Sequence, residues 1–149
     1  MNSIHLAGSW IIKAPRDKVY SIISDFENMP KNFPRVARRL TITKREGNHL
    51  SIDAVARTWG RDIPVRMETE LRPPYGYVSE NKNTIGTQGH EELLMEEVPE
   101  GTKINYTYEV ALNNPLFRIL GKPLIGWYAM RFWKRAVIDV LKKMLEKNK

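Results

Sequence analysis

Residues 10–34 read WIIKAPRDKVYSIISDFENMPKNFP, and the order of structural signals in them decides the fold. Trp10-Ile11-Ile12 is a strand-like apolar run that breaks at Ala14-Pro15. Pro15 suits the first turn of a helix, where a missing N–H costs nothing. Val19, Ile22 and Ile23 then recur at i, i+3 and i+4, the spacing of one apolar helix face. A second helical fragment follows and is cut by Pro30 and Pro34. Two short helices inserted before any second strand imply an open sheet end that needs closing.

From Val36 onward the hydrophobic period changes to two. Leu40 and Ile42 alternate with Thr41 and Thr43, and Glu46-Gly47-Asn48 reads as a hairpin turn. Leu50, Ile52, Ala54 and Ala56 continue the pattern, as do Ile63, Val65, Met67, Thr69 and Leu71. Pro64 inside that last strand points to an edge position or a bulge. Tyr75 to Glu80 and Gly86 to Val98 give two more strands, with an irregularity expected around Gly86 to Gly89. Pro99-Glu100-Gly101 then turns the chain into Ile104, Tyr106, Tyr108 and Val110. Asn113-Asn114-Pro115 ends the strands, and Leu120 to Lys147 is helical in pattern. Ile125, Ala129, Phe132, Trp133, Ala136, Val137, Val140, Leu141 and Met144 fall on its apolar arc.

Short turns between successive strands favour antiparallel pairing, so the class is α+β within one domain spanning 1–149. The expected architecture is a curved antiparallel sheet of about seven strands around a long C-terminal helix, with two short helices between strands 1 and 2. Such an arrangement leaves apolar space between sheet and helix, where a hydrophobic small molecule fits. Inward strand positions Leu40, Ile52, Val65, Met67, Leu93 and Met95 are expected to line it. Trp127, Met130, Trp133 and Val137 of the last helix join them, and Tyr106 and Tyr108 supply polar handles.

Composition bounds the chemistry. With no cysteine among 149 residues, disulfides, thiolate catalysis and cysteine-based metal sites are excluded. His5, His49 and His90 are scattered, with no HxxxH spacing, and no phosphate-binding glycine loop is present, so neither metal nor other cofactor is expected. The N-terminus, MNSIHLAGSW, has no basic region leading into an apolar run, so no signal peptide is read and the expected location is cytoplasmic.

The net charge of +7 resides in residues 116–149, because residues 1–115 carry 15 basic and 15 acidic side chains. Beside that excess lies the apolar run Leu116 to Ile125. Residues 116–135 therefore read either as a transient, peripheral contact with an anionic membrane or as the seal of a cavity mouth or homodimer contact. The basic helix lacks interleaved exposed aromatics, and a nucleic-acid partner is not expected.

Three stretches carry a family resemblance. Ile12 to Pro34, with Ala14-Pro15, Val19-Tyr20, Asp25, Glu27 and Met29-Pro30, resembles the start of the helix-grip (SRPBCC) superfamily. That superfamily contains START domains, pollen-allergen-like proteins, polyketide cyclase/dehydrase proteins and coenzyme Q-binding START-type proteins. Leu93 to Tyr106, with its Pro99-Glu100-Gly101-Thr102 turn, and Pro115 through Glu146 are the second and third matches. The Met29-Pro30…Phe33-Pro34 spacing looks most like the polyketide cyclase/dehydrase and coenzyme Q-binding branches, with Met29 where an aromatic is more usual. The resemblance implies a hydrophobic-ligand cavity and leaves catalysis open.

Two functions follow. One is carriage or presentation of a lipid, isoprenoid, quinone or polyketide-like molecule, without chemistry. The other is a cyclase or dehydratase in which Glu91 or Tyr106 moves protons. If Glu91 shares the parity of Leu93 and Met95 it points inward and His90 outward. A bulge at Gly89 would instead leave Glu91 in solvent, and that is the weightier expectation for a carboxylate so placed.

Overall fold

The computed structural model describes residues 3–58, 61–83, 87–112 and 122–146. Seven strands form one antiparallel sheet: β1 (Ser3–Ile12), β2 (Arg39–Glu46), β3 (His49–Thr58), β4 (Arg61–Arg72), β5 (Gly76–Asn83), β6 (Thr87–Val98) and β7 (Gly101–Leu112). Their order in the sheet is β1-β7-β6-β5-β4-β3-β2. Every strand from β2 to β7 thus pairs with its sequence neighbour, as short hairpins require. The first strand closes the sheet against the last. Gly101 opens β7 with φ +144, and a Cβ there would lie 2.3 Å from the Ile12 carbonyl oxygen. Only glycine permits this turn beside β1.

The inner face follows strand parity. Leu50, Ile52 and Ala54 of β3, Leu93 and Met95 of β6, and Ile104 and Tyr106 of β7 are all buried. Full burial of a side chain such as Leu50 or Ile104 is worth roughly 1.5–3 kcal/mol. Two expectations about the strands are corrected. Pro64 is not in a bulge: it faces Val55 in an unbroken β3–β4 register. The β4–β5 ladder is described from Val65, so the proline stands at the end of that pairing. Nor does Gly89 disturb β6, which keeps one register with β5 and with β7 throughout. The register shift instead lies between Ile42 and Lys44 of β2.

The connection from β1 to β2 holds helix α1 (Arg16–Ile23), a 3-10 turn (Phe26–Asn28) and the single-turn helix α2 (Met29–Asn32). Thr102 Oγ1 donates to the Ala14 carbonyl at 2.7 Å and pins the start of this segment to β7. Val19, Ile23, Phe26, Met29 and Phe33 are buried, and the Phe26 ring meets the Tyr77 ring edge-on at 5.2 Å. Pro30 stands in the first turn of α2, where its missing N–H costs nothing, and Pro34 follows the end of that helix, so only the second of the two prolines ends the fragment.

The C-terminal helix runs as α3 (Lys122–Trp133), a π-helical turn (Lys134–Ile138) and α4 (Asp139–Glu146). Its far end is tied back to β1, where the Lys13 N–H donates to Glu146 Oε2 at 2.9 Å. The π turn is not among the expected elements and changes the buried arc. Ala136, Val137 and Ile138 are consecutive and all buried, a wider arc than the expected apolar stripe. Accordingly Ile138, off the expected arc, is fully buried, whereas Phe132 and Met144, on it, are each 36% exposed. This is the helix-grip fold: a seven-stranded curved sheet, a long C-terminal helix, and short helical elements between strands 1 and 2.

Candidate functional site

Between the sheet and the C-terminal helix lies a cavity of about 270 Å³. Its walls come from four places. Ile23, Met29, Phe33, Val36 and Ala37 reach in from the β1–β2 connection. Leu40, Ala54, Ala56, Val65 and Met67 line it from β2, β3 and β4. Tyr77, Asn81, Asn83, Gly89, Glu91, Tyr106 and Tyr108 form the wall built from β5, β6 and β7. Trp133 and Val137 close it from the helix. The N-terminal helical fragments are therefore wall as well as plug.

One wall is apolar and the opposite one polar. Glu91 sits directly across from Ser79 on β5 and from Tyr108 on β7. It is 8% exposed, and its Oε2 accepts a hydrogen bond from the Tyr106 hydroxyl at 2.6 Å. The unbroken register of β6 keeps Glu91 on the same face as Leu93 and Met95, so the expected bulge and solvent-exposed carboxylate are both overturned. His90 points outward and pairs with Glu80.

A polar chain extends behind this pair. Thr69 Oγ1 and Ser79 Oγ are 2.9 Å apart, and Ser79 Oγ donates to Asn81 Oδ1 at 2.9 Å. A hydroxyl has one proton, so Thr69 is the donor to Ser79. The Asn81 side chain in turn hydrogen-bonds Glu91 and Tyr108 and favours their ionised forms. Gly89 makes the last interaction sterically available, since a Cβ on it would lie 2.4 Å from the Tyr108 hydroxyl oxygen. Asn81 faces Gly89 across the β5–β6 ladder, and the Tyr108 phenol occupies the space left between them.

Burial dominates the electrostatics. It raises the Glu91 carboxyl above the usual carboxylate range, and the hydrogen bonds from Tyr106 and Asn81 and the charge on His90 pull it partly back. Burial and then the neighbouring Glu91 hold the Tyr77 and Tyr106 phenols well above the ordinary tyrosine value. Tyr108, closer to the rim, is pushed up to about 12 by the same two causes. The tyrosines are thus neutral hydrogen-bonding groups, and Glu91 is the one side chain of this wall suited to exchange a proton in a dry site.

The expected ligand contacts divide clearly. Leu40, Val65, Met67, Tyr106, Tyr108, Trp133 and Val137 meet at the cavity. Ile52, Leu93 and Met95 are buried in the adjoining core and do not line it. Met130 packs beside Trp10 in the space left by Gly8, away from the cavity. Trp127 is 59% exposed, with the Arg131 guanidinium 5.1 Å above its ring, and stands outside. Sequence reasoning missed Asn81 and Asn83 because it ended β5 at Glu80; extending the parity of Tyr77 and Ser79 would have found both. Among the described residues, no three His, Asp or Glu side chains gather as a metal site.

The fold and the site together define a helix-grip domain with a cavity between its sheet and its C-terminal helix. Residues 3–149 match the family described as polyketide cyclase / dehydrase and lipid transport, and the chain belongs to that family. Solved structures share the fold at low identity. The di-domain ARO/CYC BexL from the BE-7585A biosynthetic pathway is 16% identical with a TM-score of 0.80; the match covers 97% of this chain and 50% of that one. This chain therefore spans about half the length of that relative. A START superfamily protein from Mycobacterium smegmatis is 16% identical over 99% of both chains, with a TM-score of 0.73. The Zhui aromatase/cyclase from Streptomcyes sp. R1128 is 14% identical, with coverage of 93% and 87% and a TM-score of 0.66. No curated protein matches the sequence.

Proposed function

We propose that the chain binds one hydrophobic small molecule in the cavity between sheet and C-terminal helix, and carries or presents it without altering it. The observation behind this is the cavity of about 270 Å³ whose apolar wall faces a single polar wall. An aromatic body burying about 200 Å² gains roughly 5 kcal/mol at about 25 cal/mol per Å². Before the cost of association that corresponds to a dissociation constant of only about 0.2 mM. Affinity and selectivity beyond that level must come from the polar wall or from a larger ligand. The test is native mass spectrometry of the purified protein, followed by organic extraction. One unmodified lipid, quinone or polyketide-like molecule per chain supports carriage; a molecule that the protein converts on incubation refutes it.

One observation favours a second reading, a cyclase or dehydratase. Glu91 is buried against the Tyr106 hydroxyl inside the cavity, where a carboxyl of raised pKa can give or take a proton. Of the structural neighbours, Zhui is an aromatase/cyclase and BexL a di-domain ARO/CYC. Turnover that vanishes in Glu91→Gln while ligand binding persists would establish it.

A peripheral membrane contact belongs to the same proposal. Exposed Trp127 and Phe132 lie on α3 with Arg131, followed by exposed Arg135, a mix suited to an anionic interface. Residues 116–121, the first part of the apolar run beside the basic excess, lie outside the described residues. Flotation with anionic but not with neutral liposomes supports the contact, and flotation with neither removes it.

A further inference from the structure

We infer that the polar wall is a hydroxyl-recognition subsite: Glu91 accepts from, and Tyr108 donates to, one phenolic or enolic OH on an otherwise apolar ligand. This rests on the cavity reading above and adds the ligand class. Glu91 has two oxygens with about four lone-pair positions, and Tyr106 takes one of them at 2.6 Å. Ser79 donates to Asn81 Oδ1, which directs the Asn81 N–H groups toward Glu91 and Tyr108. Glu91 and Tyr108 face one another across the β6–β7 ladder, and both edge the cavity. The wall thus offers an acceptor, Glu91, beside a donor, the Tyr108 hydroxyl. A ketone or an ether only accepts and a hydrocarbon does neither, whereas a hydroxyl does both.

The wall is also built to stay in place. Gly89 leaves the room into which the Tyr108 hydroxyl fits, and Tyr106 is clamped by its stack on Trp133, with ring centroids 3.9 Å apart. Thr69 and Ser79, both fully buried, fix the Asn81 amide from behind. Preorganised groups spend little ordering entropy on binding, so a matching ligand group gains most of its hydrogen-bond energy.

Isothermal calorimetry with three bicyclic probes tests this: naphthalene, 1-methoxynaphthalene and 1-naphthol. They offer respectively no polar group, an acceptor, and a donor with an acceptor. The expected result is 1-naphthol binding at least about tenfold tighter than either other probe. In Glu91→Gln that advantage falls to less than about threefold while naphthalene binds as before, which also shows that the variant is folded. Tyr108→Phe, which keeps the ring, gives the same pattern and serves if the first variant does not fold. Equal affinity for all three probes, or an advantage that survives both substitutions, overturns the subsite and leaves the cavity reading standing. Failure of every probe to bind overturns the cavity reading and this inference with it.

Discussion

The Tyr106 ring lies flat on the Trp133 indole, with centroids 3.9 Å apart and planes inclined by 16°, while its hydroxyl donates to Glu91. One side chain thus joins the sheet, the C-terminal helix and the buried carboxyl. Trp133 also meets Trp10 of β1 at 5.1 Å, so the stack spans the closing strand as well. Replacing Trp133 with Leu removes both aromatic contacts and is expected to cost about 2–3 kcal/mol. Urea denaturation of the two proteins measures this directly.

Tyr106→Phe isolates the hydroxyl. The ring stays on Trp133, but Glu91 loses a donor in a buried site, at a cost of about 1–2 kcal/mol. Because the Tyr106 bond lowers the Glu91 pKa, its removal raises that pKa further. Carboxyl NMR titration of the wild type and the variant is expected to show an upward shift. A downward shift would mean that Tyr106 is not the donor.

Glu91 makes stability fall as pH rises. Its folded pKa is above the ordinary value of 4.5, so the native state holds its proton longer than the unfolded chain does. The associated stability is full below the unfolded value and is lost as pH climbs through the folded one. Glu91→Gln does not titrate and is expected to flatten that part of the pH profile. Chemical denaturation of both proteins at a series of pH values reads the difference.

A second pH effect lies on the outer face. His49 Nε2 is 3.0 Å from Glu68 Oε1, and its Nδ1 is 3.4 Å from Glu70 Oε1. The hydrogen bonds to Glu68 and then Glu70 raise the His49 pKa above 6.5, so their contribution is present in acid and lost as pH rises through the folded value. Glu68 runs the other way: its bonds to Ser51 and His49 lower its pKa, and its contribution is lost only as pH falls below 4.5 toward the folded value. The melting-temperature gap between wild type and His49→Gln is expected to shrink from mildly acid to mildly alkaline buffer. A gap independent of pH would show that the ion pairs do not form in solution.

Gly89→Ala tests the geometry of the polar wall without touching a polar group. The new methyl carbon would lie 2.4 Å from the Tyr108 hydroxyl oxygen, so the phenol must swing away from Asn81. The Tyr108 hydroxyl then leaves its place beside Glu91, and the preference for 1-naphthol over naphthalene is expected to fall to less than about threefold, read by isothermal calorimetry.

Much of the fold is legible in the chain because its strands alternate strictly and its turns carry Gly, Asn and Pro. Leu40, Val65, Met67, Tyr106 and Tyr108 reach the cavity because parity fixes which side of a strand faces in. Parity also places Glu91 inward, and the expectation of a bulge fails because Gly89 serves a packing partner, Tyr108, on the next strand. That relation lies between strands and leaves no periodic trace. Trp127 escapes for a different reason: aromatic content alone does not distinguish a buried helix face from an exposed one. The π turn at Lys134–Ile138 leaves no mark in the hydrophobic period, and it explains why Ile138 is buried in place of Phe132 and Met144.

Methionine methyls give the most direct test of the cavity. Met29 and Met67 line it, whereas Met144 is exposed near the end of α4. With methionines labelled at the 13C methyl, addition of naphthalene is expected to move the Met29 and Met67 resonances in a saturable way and leave Met144 in place. Saturable shifts at Met144 with Met29 and Met67 unmoved, or no shifts at any methionine, would contradict a ligand site between sheet and helix.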